Sequence, residues 1–138
     1  MAQFNGKYKL DPDNSQNLEE FMKALGVSEE MRKIGSSVVP EVTIETADGK
    51  HFKMTTVTTY TTVVVEFNLG EEQEITTADG RKTKNVYTLD GTTLKHVETP
   101  ADGNGPTATY NRTLNAAGDI EMVMTTGSVV AKRLYKKL

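Results

Sequence analysis

Two arginines carry the strongest chemical signal in this sequence, because each falls on a strand face that is otherwise largely apolar. Read with a period of two, 107–114 puts Thr107, Thr109, Asn111 and Thr113 on one face and Ala108, Tyr110, Arg112 and Leu114 on the other. In 129–137, Val129, Ala131, Arg133 and Tyr135 share a face opposite Val130, Lys132, Leu134 and Lys136; this assignment is less clean, since Val130 and Leu134 are apolar as well. A guanidinium stays charged at any working pH, and taking it out of water is costly unless it is paired. It is also a planar fork that can hold a carboxylate by two charge-assisted hydrogen bonds, to which a tyrosine hydroxyl can add another. Two inward arginines therefore imply an internal anion or carboxylate. Two alternatives stay open: an Asp or Glu of the chain pairs with them inside, or a bulge turns one or both outward.

Other chemistry is sparse. The 138 residues include no cysteine, which excludes disulfides, a thiolate nucleophile and cysteine-ligated metal. The two histidines, His51 and His96, make a histidine-rich metal site improbable, and both read as solvated residues without a role. Glu29-Glu30 and Glu71-Glu72 read as helix starts and solvated faces. Neither a nucleophile triad nor a phosphate loop is recognisable, so no catalytic residue, metal or cofactor is assigned. With 16 Lys+Arg against 19 Asp+Glu, the net charge of -3 argues against nucleic acid as a partner. The opening residues lack a basic stretch followed by an apolar run, and the longest aliphatic run is Val63-Val64-Val65; the chain reads as soluble and cytoplasmic. Hydrophobic residues make up 36%, roughly 44% with the 11 glycines, slightly under the usual range of about 45–50%, so part of the interior should be polar.

The arginine-bearing strands belong to a meander. Asp-Gly recurs at 48–49, 79–80, 90–91 and 102–103, and 115–119 and 126–128 supply further turns. Between them, runs rich in Val, Thr, Tyr and Phe predict strands at 4–11, 41–47, 50–58, 62–69, 73–78, 82–89, 92–99, 107–114, 120–126 and 129–137. Inward faces follow by alternation: Val42 and Ile44; Phe52 and Met54; Val63, Val65, Phe67 and Leu69; Ile120, Met122 and Met124. A single helical region spans 17–35. Asn17 is predicted to cap a first helix with Glu20 three residues on, Leu18, Phe21, Met22 and Leu25 form its apolar stripe, and Gly26 stops it. Ser28 caps a second helix in which Met31 and Ile34 share a face, with Arg32 and Lys33 in the last turn before Gly35. The prediction is one mostly-β domain over 1–138: an antiparallel up-and-down sheet of ten strands, long enough to curl or close, capped by a short helix-turn-helix.

Several dispersed segments, in order, resemble the intracellular lipid-binding proteins, the cytosolic fatty-acid-binding protein family. They are Gly6-Lys7-Tyr8-Lys9-Leu10, the run Asn17 to Val27, Arg32-Lys33, Pro40, Phe67-Asn68-Leu69-Gly70, Asp79-Gly80-Arg81-Lys82, Leu89-Asp90-Gly91 and the closing Val130 to Tyr135. The chain departs from the pattern at Asp11-Pro12-Asp13-Asn14, about two residues longer than usual, at Leu18, where an aromatic is usual, and in the loop containing Pro100, Gly103, Gly105 and Pro106.

The resemblance implies a flattened ten-stranded barrel under a helical lid, carrying one long-chain fatty acid without chemistry. It implies that Arg112, Arg133 and Tyr135 bind the carboxylate, in agreement with the inward faces. The tail would run over Phe52, Met54, Val63, Val65, Ile120, Met122 and Met124, and the portal would comprise Leu18, Met22, Met31, Tyr60, Ala78 and Asp79. Arginine at both positions points to an acid: a fatty acid first, a retinoid acid second, with an enzyme acting on small hydrophobic acids as a remoter alternative. A monomer is expected, with transient membrane contact through Lys23, Arg32 and Lys33 of the lid.

Overall fold

Short β-branched runs punctuated by turns give ten strands in the computed structural model, which describes residues 4–77 and 80–138. These are β1 (Gly6–Gln16), β2 (Glu41–Glu45), β3 (His51–Val57), β4 (Thr62–Asn68), β5 (Gln73–Thr76), β6 (Lys82–Asp90), β7 (Thr93–Pro100), β8 (Ala108–Leu114), β9 (Ile120–Thr126) and β10 (Val129–Lys137). Helices α1 (Leu18–Ala24) and α2 (Glu29–Ser37) lie between β1 and β2. All pairings are antiparallel, in the order β4-β3-β2-β1-β10-β9-β8-β7-β6-β5, so β1 pairs with β10 and the meander turns back on itself as a nearly closed barrel. Hairpin chemistry does much of this: Gly91, at φ 61, opens the two-residue loop between Asp90 and Thr93, where such a turn needs a positive φ.

Closure is completed by side chains. The described residues show no ladder between β4 and β5, yet Phe67 of β4 stacks on Tyr87 of β6 with centroids 3.7 Å apart, and Gln73 Nε2 donates to Glu66 O at 2.8 Å. That stack extends both ways: Phe52–Phe67 at 5.3 Å, Tyr87–His96 at 4.0 Å and His96–Tyr110 at 4.9 Å. The Phe21 ring of α1 meets Tyr110 edge-on at 5.8 Å, which ties the lid to the barrel wall.

The strand positions follow the predicted ones closely, but the region between β1 and β2 needs four corrections. First, β1 does not end near residue 11; it runs to Gln16 through a bulge, pairing Asp11 with Leu134 and Gln16 with Lys132. Asp11 holds that bulge, its Oδ1 accepting from Asp13 N at 3.1 Å and its Oδ2 from Asn14 Nδ2 at 2.7 Å. Second, Asn17 is not a side-chain cap: it sits in the left-handed region (φ 64) and its Nδ2 donates to Val130 O at 3.0 Å, pinning the start of α1 to β10. Third, Gly35 is not a stop. The second helix passes through it to Ser37, and a Cβ at Gly35 would lie 3.0 Å from Met22 Sδ, so glycine permits close approach of the two helices. Fourth, Arg32 and Lys33 therefore fall outside the last turn of α2. Gly26 does end α1, with Gly26 N–H donating to Lys23 O and Val27 N–H to Met22 O, at φ 84. Ser28 Oγ accepts from Met31 N as predicted. The helices are joined by Arg32, whose Nε donates to Glu19 Oε1 at 2.9 Å and whose Nη1 donates to Val27 O at 2.6 Å.

Candidate functional site

Pairing register brings the two arginines into one transverse row. Arg112 on β8 lies opposite Met122 on β9, and Met122 lies opposite Arg133 on β10; directly paired residues share a sheet face, so all three point the same way. On that face Ala108, Ala131, Met122, Met124, Ile120 and Tyr135 are buried. Arg112 Nη1 and Arg133 Nε are buried without a hydrogen-bond partner among the described residues. Each guanidinium instead lies near a tyrosine ring, Arg112 Cζ 5.9 Å from the Tyr110 centroid and Arg133 Cζ 5.8 Å from that of Tyr135. Buried, charged donors without acceptors are an anion-binding arrangement, because the missing partner must carry lone pairs and is best negative.

Beside Arg112 lies a cavity of about 60 Å³ lined also by Tyr135, Tyr8, Val42, Ile44, Met54, Thr56, Ile120 and Met122. Arg133 borders a different hollow of about 240 Å³ where the β1 bulge leaves β10, with Asn14, Gln16, Glu121 and Lys132 around it. Of the candidate tail residues, Met54, Ile120 and Met122 line the small cavity. Met124 is buried between Tyr110 and Ala131 in register, Phe52 is buried in the aromatic stack, and Val63 and Val65 are half-buried on β4. Leu18, Met22, Met31 and Tyr60 come together around a second cavity of about 220 Å³ under the helices, with Phe21, Leu25, Thr58, Arg81 and Tyr110. Tyr60 is 54% exposed at the turn between β3 and β4. Ala78 and Asp79 lie outside the described residues.

The interior polarity anticipated from composition is concentrated on β6 and β7, at residues that sequence reasoning passed over. His96 is not solvated: it is buried between the Tyr87 and Tyr110 rings, and its Nε2 faces Asn85 Oδ1 at 2.5 Å, while Asn85 Nδ2 donates to Thr83 Oγ1 at 2.9 Å. Burial, reinforced by the positive charge of Arg112, holds its pKa down at about 2, so the ring is neutral and donates to Asn85. Glu98 is only 4% exposed; its Oε2 accepts from Tyr110 Oη at 2.6 Å and its Oε1 lies 3.6 Å from Arg81 Nη1. Burial, then the Glu98 charge, push the Tyr110 hydroxyl pKa well up, keeping it a donor. The signal for both was the alternation Leu94, His96, Glu98, but Val97 made the opposite face equally plausible; in the fold Val97 is 41% exposed. His51, by contrast, is exposed as predicted, with its pKa raised by hydrogen bonding first to Asn68 and then to Glu66.

A ten-stranded barrel roofed by a helix pair, with half-buried Arg112 beside an internal cavity, defines a small helix-capped β-barrel. The chain belongs to the lipocalin / cytosolic fatty-acid binding protein family, whose sequence model matches residues 5–137. It is 38% identical over 131 residues to the muscle fatty acid-binding protein of Schistocerca gregaria, covering 94% of this chain and 92% of the relative. Cellular retinoic acid-binding protein 2 of Rattus norvegicus is 35% identical over 138 residues, covering 98% of each. Among solved structures, the Schistosoma mansoni fatty acid binding protein in complex with arachidonic acid superposes with a TM-score of 0.90 at 34% identity, covering 100% of this chain and 98% of that one. The fatty acid-binding protein in brain tissue of Drosophila melanogaster gives 0.83 at 36% identity, covering 96% and 98%.

Proposed function

We propose that this protein is a cytoplasmic, monomeric, single-domain carrier of long-chain fatty acids that binds its ligand reversibly and performs no chemistry. The observation that carries the reading is the pair of half-buried arginines, Arg112 and Arg133, whose buried Nη1 and Nε atoms lack partners among the described residues, on faces of β8 and β10 that are otherwise largely apolar. A carboxylate would supply the missing acceptors, with Tyr135 beside Arg112 in the cavity as a third donor. The tail would leave over Met54, Ile120 and Met122 and pass Tyr110 toward the cavity rimmed by Leu18, Met22, Met31 and Tyr60. Each buried methylene adds about 0.8 kcal/mol, so a long chain supplies affinity beyond the ordering cost of binding. Arg32 is engaged by Glu19 at 2.9 Å and Lys33 by Glu29 at 3.6 Å, which leaves Lys23 as the lid cation outside these pairs able to meet an anionic membrane during transfer.

A second reading, a retinoid acid, is favoured by one observation: the rat retinoic acid-binding relative matches at 35% over 138 residues, nearly the identity of the locust fatty acid-binding one. Native mass spectrometry of the purified protein, followed by extraction of bound lipid and competition calorimetry with palmitic and retinoic acids, separates them. A saturable site that prefers palmitic acid is expected; recovery of neutral lipids alone, with no binding of either acid, would overturn both readings.

A further inference from the structure

The carboxylate of Glu98 has no place in a simple fatty-acid carrier. A carboxylate on the inward face of a lipid-binding barrel repels an acid head group and offers nothing to a methylene chain, so its presence asks for a ligand feature that can use it. Glu98 is 4% exposed. Its Oε2 accepts one hydrogen bond, from Tyr110, while Oε1 accepts none among the described residues and has only Arg81 Nη1 at 3.6 Å, beyond hydrogen-bond range. A carboxylate offers about four acceptor sites, so most of this capacity is unspent.

Its position along the ligand path is set by register. Leu94, paired with Arg112, and Glu98, paired with Ala108, share the inward face of β7 and are four residues apart. At a rise of about 3.3 Å per residue the separation is about 13 Å, roughly ten methylenes of an extended chain. The same path is marked by Tyr110, whose ring lies 5.9 Å from Arg112 Cζ, whose hydroxyl bonds Glu98, and which lines the 220 Å³ cavity together with Arg81. A chain held by its carboxylate at Arg112 and leaving toward the helices passes Tyr110, and reaches the level of Glu98 near its middle.

We propose that Glu98, held by Tyr110 and Arg81, is a second polar subsite that accepts a hydrogen bond from a mid-chain hydroxyl, and that the preferred ligand is a hydroxylated long-chain fatty acid. This rests on the carboxylate reading of Arg112 and Arg133. A neutral donor suits the subsite better than a second acid group, because Glu98 repels the latter. Hydrogen bonds to a charged acceptor are stronger than neutral ones, so the hydroxyl is worth roughly tenfold in affinity.

Titration calorimetry on the delipidated protein with stearic, 2-hydroxystearic and 10-hydroxystearic acids tests this. The 10-hydroxy acid should bind about tenfold tighter than stearic acid, and the 2-hydroxy acid, whose hydroxyl lies beside the head group, should show no such gain. Glu98→Leu should abolish the preference while keeping stearic acid binding. Should Glu98→Leu fail to fold, Glu98→Gln removes the charge at constant shape and should reduce the preference to about threefold or less. Equal binding of stearic and 10-hydroxystearic acids by the unaltered protein, or a preference that survives both substitutions, overturns the subsite but leaves the carrier reading standing. Failure to bind any of the three acids overturns the carrier reading itself.

Discussion

Replacing Arg112 by methionine should move stability and binding in opposite directions. The buried Nη1 of Arg112 lacks a partner among the described residues. A buried donor left in that state costs about 1–3 kcal/mol, and exchanging buried ionic groups for apolar ones of similar volume has stabilised proteins by about 1–4 kcal/mol. Against this stands the contact with the Tyr110 ring at 5.9 Å, worth about 0.5–2 kcal/mol. The balance is a gain of about 1 kcal/mol for Arg112→Met without ligand, read as a higher midpoint in urea unfolding of delipidated protein. Binding of a long-chain acid should meanwhile lose about 2–5 kcal/mol, a weakening from roughly thirtyfold to several thousandfold. Titration with palmitic acid and with hexadecanol isolates the head group, since the alcohol shares the tail and lacks the charge. If Arg112→Met is less stable than the parent without ligand, or if acid and alcohol lose equally, the orphaned guanidinium is not an anion site.

Arg133→Gln should likewise weaken palmitic acid more than hexadecanol while leaving far-UV circular dichroism unchanged; equal losses would remove Arg133 from head-group recognition. For His96 the sign follows from its pKa, held down at about 2 by burial and by Arg112, against about 6.5 in the unfolded chain. Its contribution to stability is whole above about pH 6.5 and is lost as pH falls toward 2, at up to about 1.4 kcal/mol per pH unit. His96→Gln should therefore flatten the acid limb of stability measured by urea unfolding; identical acid slopes would contradict the assignment. Replacing residues 17–37 by a short Gly-Ser link removes buried Phe21, Leu25 and Val27, so the sheet should persist at reduced stability. Release of a fluorescent fatty acid in stopped flow should then quicken by more than equilibrium affinity falls, and an unchanged release rate would rule the helix pair out as a gate.

The inward face of each arginine was legible in the sequence because alternation is a local rule: a residue's face is decided by its immediate neighbours, and Ala108, Tyr110, Arg112 and Leu114 needed nothing else. The same locality made the hairpins, the Gly26 stop and the Ser28 cap readable, since each is closed by hydrogen bonds spanning a few residues. Where apolar residues stood on both faces of the pleat, as with Val97 opposite the face of Leu94, His96 and Glu98, local pattern was balanced, and the partners Tyr87, Asn85 and Tyr110 decided burial. None of those partners is near in sequence on the chain's own strand.

What the sequence determined by itself was therefore the meander, the two-helix insertion and the pair of charges on apolar faces, all products of short-range sterics and hydrogen bonding. Only the tertiary structure decided that β1 would bulge past residue 11 and pair Gln16 with Lys132, that α2 would continue through Gly35 against Met22, and that Met122 would set Arg112 and Arg133 in one row. It alone also buried Glu98 within reach of Tyr110 and Arg81. The reason is that register and burial depend on which surfaces meet: a strand's own residues set what each face offers, and the neighbouring strands and helices determine which offers are taken up.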